Sequence, residues 1–433
     1  MIKTFFITFI FFITSLPAWA TTLLRDADIE HALSQLARPI LQVAGLRPNQ
    51  VKILLIDDSS FNAFVLDGHH IFLNSGLVLK CRSAEMLQSL IAHEVAHIAN
   101  GHISRRMQNM HVTQNAARFG VALALIAGGS NQNQGLGVGL ALGISNSAQR
   151  IFHSHTQSEE IAADQTAIKY FSKLGIDTNG TLEVLNYLSD QEYLSSDRQD
   201  PYSRTHPLSR DRLRVIKSQV QQNAAPPPDP SAQYWYARAY AKIFAFSQDP
   251  ELVLTNSRSA ISEDIVLMQN AIALSRRGKL LQAIEAVEKA QKTRPNDPFF
   301  QDLKAEILMR NRQFSGAVDV YEKAVAMAPD QALILAAYGR ALLAAGHTKD
   351  ALHSLKRARD LDFLNTKLLH DLALAYAKTG NRGMASLITA ERFGLKGNLK
   401  DAKRHAKKAE ALLPHGSPAW QRAQDMLHEH DLK

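Results

Sequence analysis

Ser83-Ala84-Glu85-Met86-Leu87-Gln88-Ser89-Leu90-Ile91-Ala92-His93-Glu94-Val95-Ala96-His97 decides how this chain folds and what chemistry it can hold. Ser83 is a helix-capping residue, and Leu87, Leu90, Ile91 and Ile98 recur at helical spacing, so an amphipathic helix is expected from Ser83 to about Arg106. Within it His93 and His97 stand four apart, on one helical face a turn apart, where both imidazoles can grip one Zn²⁺. Glu94 lies beside them, where a water bound to that ion would sit. The bland alternative is two histidines on a solvated face. A third ligand decides between the two, because a catalytic zinc takes three protein ligands and leaves one position open.

Cys81 is the only cysteine, so no internal disulfide and no paired-thiol metal site can form; any metal is held by His, Asp or Glu. An all-histidine set would need glycine at Asn100 and histidine at Ile103, and His102 is out of that register. The segment Ser158-Glu159-Glu160-Ile161-Ala162-Ala163-Asp164 opens a second helix with apolar spacing through Ile168 and Phe171. Glu160 and Asp164 share a face, so Glu160 can reach the metal while Asp164 orients a ligand histidine through its ring N–H. Glu159 competes as ligand, and a helix start enriched in acids for the macrodipole explains either residue.

Outward from this core, the run Gln221-Gln222-Asn223-Ala224-Ala225-Pro226-Pro227-Pro228-Asp229-Pro230 cannot continue a helix and divides the 433 residues into unlike halves. The expected organisation is a signal peptide at 1–20, a metallopeptidase domain at 21–220, a linker at 221–232 and a repeat domain at 233–433. In the second half Ala283, Ala317, Ala351 and Ala385 are spaced by 34 residues, with Gly278, Gly346 and Gly380 five before three of them and Pro295 and Pro329 twelve after two. A 34-residue period is that of tetratricopeptide repeats, in which small residues let paired helices approach and Gly and Pro end them. Gly397, Ala402, Ala409 and Pro414 come back after only 17 residues, so the helix near 382–394 is expected to serve two units.

At the other end, Lys3, the apolar run Phe5–Ile13 and Ala18-Trp19-Ala20 have the order of a secretory signal with cleavage after Ala20, too short to span a bilayer. The expected compartment is the periplasm. The net charge of +8 belongs wholly to the second half, with 30 Lys and Arg against 22 Asp and Glu from residue 233 onward and 19 against 19 before it. Without an arginine-rich arm or aromatic-basic interleaving, this argues against nucleic acid and for acidic partner surfaces.

His93-Glu94-x-x-His97, Glu160-x-x-x-Asp164 and Thr205-His206-Pro207 with Arg212 six beyond the histidine together resemble the zinc metallopeptidase family that includes the CaaX prenyl endopeptidase. The signal segment and the repeats make the chain similar to that family's periplasmic branch. The resemblance implies an α+β, mostly helical gluzincin domain with a small sheet, followed by an all-α solenoid. It also implies endoproteolysis of misfolded or stalled outer-membrane proteins and help in assembling sound ones, with the repeats binding substrate or the outer-membrane assembly machinery. In this reading His93, His97 and Glu160 hold zinc, Glu94 is the base, and Asp164 tunes the site. His206 either donates to the oxyanion or takes the open metal position and holds the enzyme idle. The rival reading is a chaperone or assembly adaptor whose zinc site is inert.

Two further segments bear on access. Val51–Ile56 is a nearly continuous apolar run, and Ile71-Phe72-Leu73-Asn74 follows the turn signal Asp67-Gly68; a strand there is expected to offer an open edge to extended substrate. His69 and His70 read as exposed turn residues. Phe119–Gly129 and the glycine-studded run to Ile144 form a helical hairpin candidate, either a lid, a core hairpin or a peripheral membrane contact.

Overall fold

The computed structural model describes residues 23–111, 156–195, 198–220, 226–256 and 261–431. The signal segment, the hairpin candidate at 119–144 and residues 221–225 of the Pro-rich stretch lie outside them. β1 (Leu23–Leu24) leads into α1 (Ala27–Val43), followed by β2 (Lys52–Ile56), β3 (Ala63–Val65) and β4 (His70–Asn74). Then come α2 (Ser75–Lys80), α3 (Ala84–Ala99), α4 (His102–His111), α5 (Gln157–Leu174), α6 (Asn179–Glu192), α7 (Pro201–Thr205) and α8 (Arg210–Val220).

The sheet has the order β1-β2-β4-β3, with β2 and β4 parallel and both outer pairs antiparallel. The segment Ile71–Asn74 therefore runs inside the sheet, paired on both sides, and β1 and β3 are the edges. This corrects the open edge expected there: an apolar strand read from its own pattern does not say how many partners it has. His70 is likewise buried, its Nδ1 3.0 Å from Asp67 Oδ2, and Asp67 Oδ1 accepts from the backbone N–H of His69 and His70. The Asp67 carboxylate thus closes the turn and holds the backbone of both histidines.

The apolar strands are explained by their two covers. Ile53, Leu55, Ala63, Val65, Ile71 and Leu73 point into the core built with α1 and α3. The alternate residues Leu54, Ile56, Phe64 and Phe72 meet Leu335, Leu355, Leu368 and Leu372 from the second half of the chain. A strand buried on both faces needs no polar alternation.

α3 is capped as expected, the Ser83 hydroxyl accepting from the Met86 N–H at 3.0 Å. It stops at Asn100 rather than near Arg106, because Gly101 takes φ 70° and turns the chain before α4 begins at His102. Left-handed backbone of this kind favours glycine. α6 crosses the start of α3 so closely that a Cβ on Gly180 would lie 2.4 Å from the Glu85 carbonyl.

After the prolines, Asp229 caps α9 (Pro230–Ser247), which leads to α10 (Pro250–Asn256). Helical pairs follow: α11 (Glu263–Arg276) and α12 (Leu280–Thr293), α13 (Pro298–Arg310) and α14 (Phe314–Met327), α15 (Ala332–Ala345) and α16 (Thr348–Leu361), α17 (Thr366–Lys378) and α18 (Arg382–Leu395), α19 (Leu399–Leu412) and α20 (Pro418–Asp431). α18 packs on both α17 and α19, as the 17-residue offset implies. α9 packs along α1, where Arg238 pairs with Asp28 and Asp297, and Lys242 with Asp26 and Asp28, all largely buried.

Gly278, Gly346 and Gly380 end their helices at φ 73°, 90° and 82°, and the repeat places Arg312 at the same position with φ 60°. A side chain in this region costs about 1–2 kcal/mol, offset in part by glycine's greater freedom when unfolded. Arg312 is exposed. Arg312→Gly is expected to raise stability by about 0.5–1 kcal/mol in urea melts; an unchanged or lower midpoint would refute the strain.

Candidate metal centre

The second turn from the end of α3 brings His93 and His97 together, with their Nε2 atoms 3.0 Å apart. From α5, Glu160 Oε2 lies 3.4 Å from His93 Nε2, and Oε1 lies 3.3 Å from His97 Nε2. His206, where α7 ends, puts Nδ1 3.2 Å from His93 Nε2 and 3.0 Å from Glu160 Oε1. The four residues are almost wholly buried and offer ligand atoms all within 4.8 Å of one another.

These separations can be tested against a metal. Four ligands at zinc-like bond lengths in a tetrahedron stand about 3.3–3.4 Å from each other, and the separations of 3.0–3.4 Å above lie at or slightly below that spacing. The donor chemistry agrees. Asp164 Oδ1 lies 2.8 Å from His93 Nδ1, and a carboxylate can only accept, so that nitrogen carries the proton and Nε2 turns its lone pair inward. His97 Nδ1 is 2.8 Å from His102 Nδ1, which occupies the nitrogen facing away from the cluster. Inward-facing imidazole nitrogens and a carboxylate in a buried pocket could hold a cation.

The helix start shows why Glu160 rather than Glu159 faces the imidazoles. Thr156 and Glu159 form a capping box, and Glu159 also pairs with Arg106 at 3.1 Å. The next residue turns inward, and Asp164 follows one turn later. Arg212 of α8 binds both: Nη1 is 2.9 Å from Glu160 Oε2, and Nη2 donates to Asp164 Oδ1 at 3.1 Å. Its Nη1 also donates to the His206 carbonyl, so one guanidinium joins α5, α8 and the His206 loop. Sequence reading noted Arg212 only by its distance from His206.

Two more residues were missed. His102 was set aside as out of register; the turn at Gly101 folds it back, and it is buried against His97. Tyr202 is buried and stacks on the His206 ring at 4.3 Å, fixing its plane. The pattern Tyr-x-x-x-His one turn apart in α7 was the available signal.

Electrostatics follow from burial. Burial alone would keep His93 neutral, but Glu160 and Asp164 outweigh it and push its pKa up to about 10 when no other cation is present. Burial pushes His97 down to about 3. For Glu160, burial opposes ionisation, yet His206, Arg212 and His93 hold it well below the usual carboxylate range. Glu94 is different: burial raises it, and neither carboxylate oxygen has a hydrogen-bond partner, the His206 Nε2 standing 3.6 Å away. A buried carboxylate without a donor is expensive and is kept where chemistry uses it.

Comparison with known proteins agrees with this geometry. Residues 23–220 match peptidase family M48, and residues 308–373 match the tetratricopeptide repeat. The beta-barrel assembly-enhancing protease of Escherichia coli (strain K12) is 24% identical over 390 residues, covering 88% of this chain and 78% of that protein. A Vibrio cholerae relative is 26% identical over 219 residues, 50% of this chain and less than half (44%) of its own length. Among solved structures, the MamA RS-1 ArsTM double mutant aligns with a TM-score of 0.33 and 23% identity over 37% of this chain and 93% of its own. Residues 23–220 thus form a peptidase family M48 domain, a metallopeptidase, and tetratricopeptide repeats follow it in the same chain.

Proposed function

We propose that this chain is a zinc-dependent endopeptidase of the periplasm that cleaves misfolded or stalled outer-membrane proteins, with its repeats engaging substrate or the assembly machinery. The observation that carries the peptidase reading is the convergence of His93, His97 and Glu160 on one buried point beside the Glu94 carboxylate, which accepts no hydrogen bond. The name of the Escherichia coli relative, a beta-barrel assembly-enhancing protease, supports the link to β-barrel assembly.

His93, His97 and Glu160 would hold the ion, whose bound form supplies Lewis-acid polarisation and lowers the pKa of water towards about 7. Asp164 fixes the tautomer of His93 through Nδ1, and Arg212 fixes Asp164. Glu94 takes the proton of the attacking water and delivers it to the leaving amine. His206 Nδ1 lies as near to His93 and Glu160 as those residues lie to one another, which favours the fourth-ligand reading over the oxyanion donor. Substrate entry then requires His206 to withdraw.

The test is cleavage of a urea-unfolded β-barrel protein diluted into buffer. Turnover is expected with about one zinc per chain, to be lost with a chelator and restored by added zinc. A protein that binds zinc and the unfolded barrel without cutting it would establish the adaptor reading instead.

A further inference from the structure

Helix α19 presents two opposed faces. Ala402, Ala406 and Ala409 are buried with Leu387, Ala390, Ala423 and Met426. At 3.6 residues per turn the opposite direction is taken by Lys400, Arg404, Lys407 and Ala411, with Lys403 and Lys408 on its flanks. Lys400, Arg404, Lys407 and Lys408 are exposed, and they form a stripe about 12 Å long at 1.5 Å per residue. The helix's two acids sit at the margins and are engaged: Asp401 with Arg404 at 3.0 Å and with Asn398, Glu410 with Gln424. Among the described residues, Lys400, Lys407 and Lys408 have no ion pair.

We propose that this face of α19 is a docking surface for an anionic phospholipid bilayer. The choice of occupant rests on three features. The stripe is lysine-rich, and lysines are mobile point charges suited to a diffuse negative plane rather than to one bidentate acid. Its small-residue side is fixed in the solenoid, so the helix reaches a membrane already folded. Leu412, 48% exposed, ends the helix as an apolar side chain open to its surroundings, and half-buried Trp420, a residue type that settles at the polar-apolar boundary, follows on α20. No helix among the described residues is long and apolar enough to cross a membrane, so the contact is peripheral. The helix carries five Lys and Arg against two acids, part of the charge surplus of the second half, close enough together to act within a Debye length of about 10 Å.

The full chain is sedimented with vesicles of phosphatidylcholine alone or mixed equally with phosphatidylglycerol, at about 0.05 M and about 0.5 M salt. Binding to the anionic vesicles is expected at low salt, with at least about tenfold weakening at high salt and the same loss in the triple variant Lys400→Glu, Lys407→Glu, Lys408→Glu. The arginine triple variant should keep binding, and a glutamine triple variant reads the same loss if dichroism shows the glutamate variant misfolded. Equal binding to both vesicle types, or undiminished binding of the charge-reversed protein, overturns the proposal. So does a wild type that ignores both vesicles and binds polyglutamate, which would assign the face to an acidic protein.

Discussion

Glu94→Gln is expected to leave one zinc bound per chain and to lower peptide hydrolysis by about 10²–10⁴-fold, the range that a positioned base supplies. Glutamine has the same shape but cannot accept the proton, and none of the three ligand side chains changes. Its stability should change little, because burial already raises the Glu94 pKa above the ordinary carboxylate value and the isosteric amide is left as poorly hydrogen-bonded as the acid. Metal analysis, single-turnover cleavage and urea melts of the two proteins check all three expectations together. Retained turnover would remove Glu94 from the mechanism; loss of metal would mean that it holds the site rather than works in it.

The second large effect lies between the two halves. Arg238 is buried in α9, 2.7 Å from Asp28 of α1 and paired with Asp297 before α13, and it lies over the ring of Phe300 at 4.6 Å. Arg238→Met fills similar volume, leaves Asp297 without its partner and Asp28 with Lys242 alone, and is expected to destabilise the chain by about 3–5 kcal/mol. Burial works against the arginine's charge, and Asp28 and Asp297 more than offset it, holding its pKa above the ordinary value. Adding Asp28→Asn to Arg238→Met should recover part of the loss, since a neutral amide needs no countercharge. Urea unfolding monitored by tryptophan fluorescence measures it, and a shift below about 1 kcal/mol would mean that the pair contributes little net stability.

Much of this was legible in the sequence where the physics is local. Ser83 and the apolar spacing gave α3 and its cap, the 34-residue period gave the solenoid, and Glu160 with Asp164 one turn on gave the carboxylates that face the histidines. What was not legible depends on contacts distant in the chain. The nearly continuous apolar run Val51–Ile56 was read as a strand, but the second cover that explains it is residues 335–372, and no local pattern names it. The interior place of β4 was hidden for the same reason, since pairing is decided by neighbours. His102 was hidden by a single backbone angle: the left-handed turn at Gly101 cancels the helical register on which the spacing argument depended.

The double cover of the sheet has a practical consequence for anyone wishing to isolate the catalytic half. Cutting the chain at the prolines would bare Leu54, Ile56, Phe64 and Phe72 together as a greasy plate, and would orphan Asp26, Asp28 and Arg25 from their countercharges on Lys242, Arg238 and Asp362. A soluble miniature enzyme would have to be repainted on that side with polar residues before its activity could be compared with that of the parent.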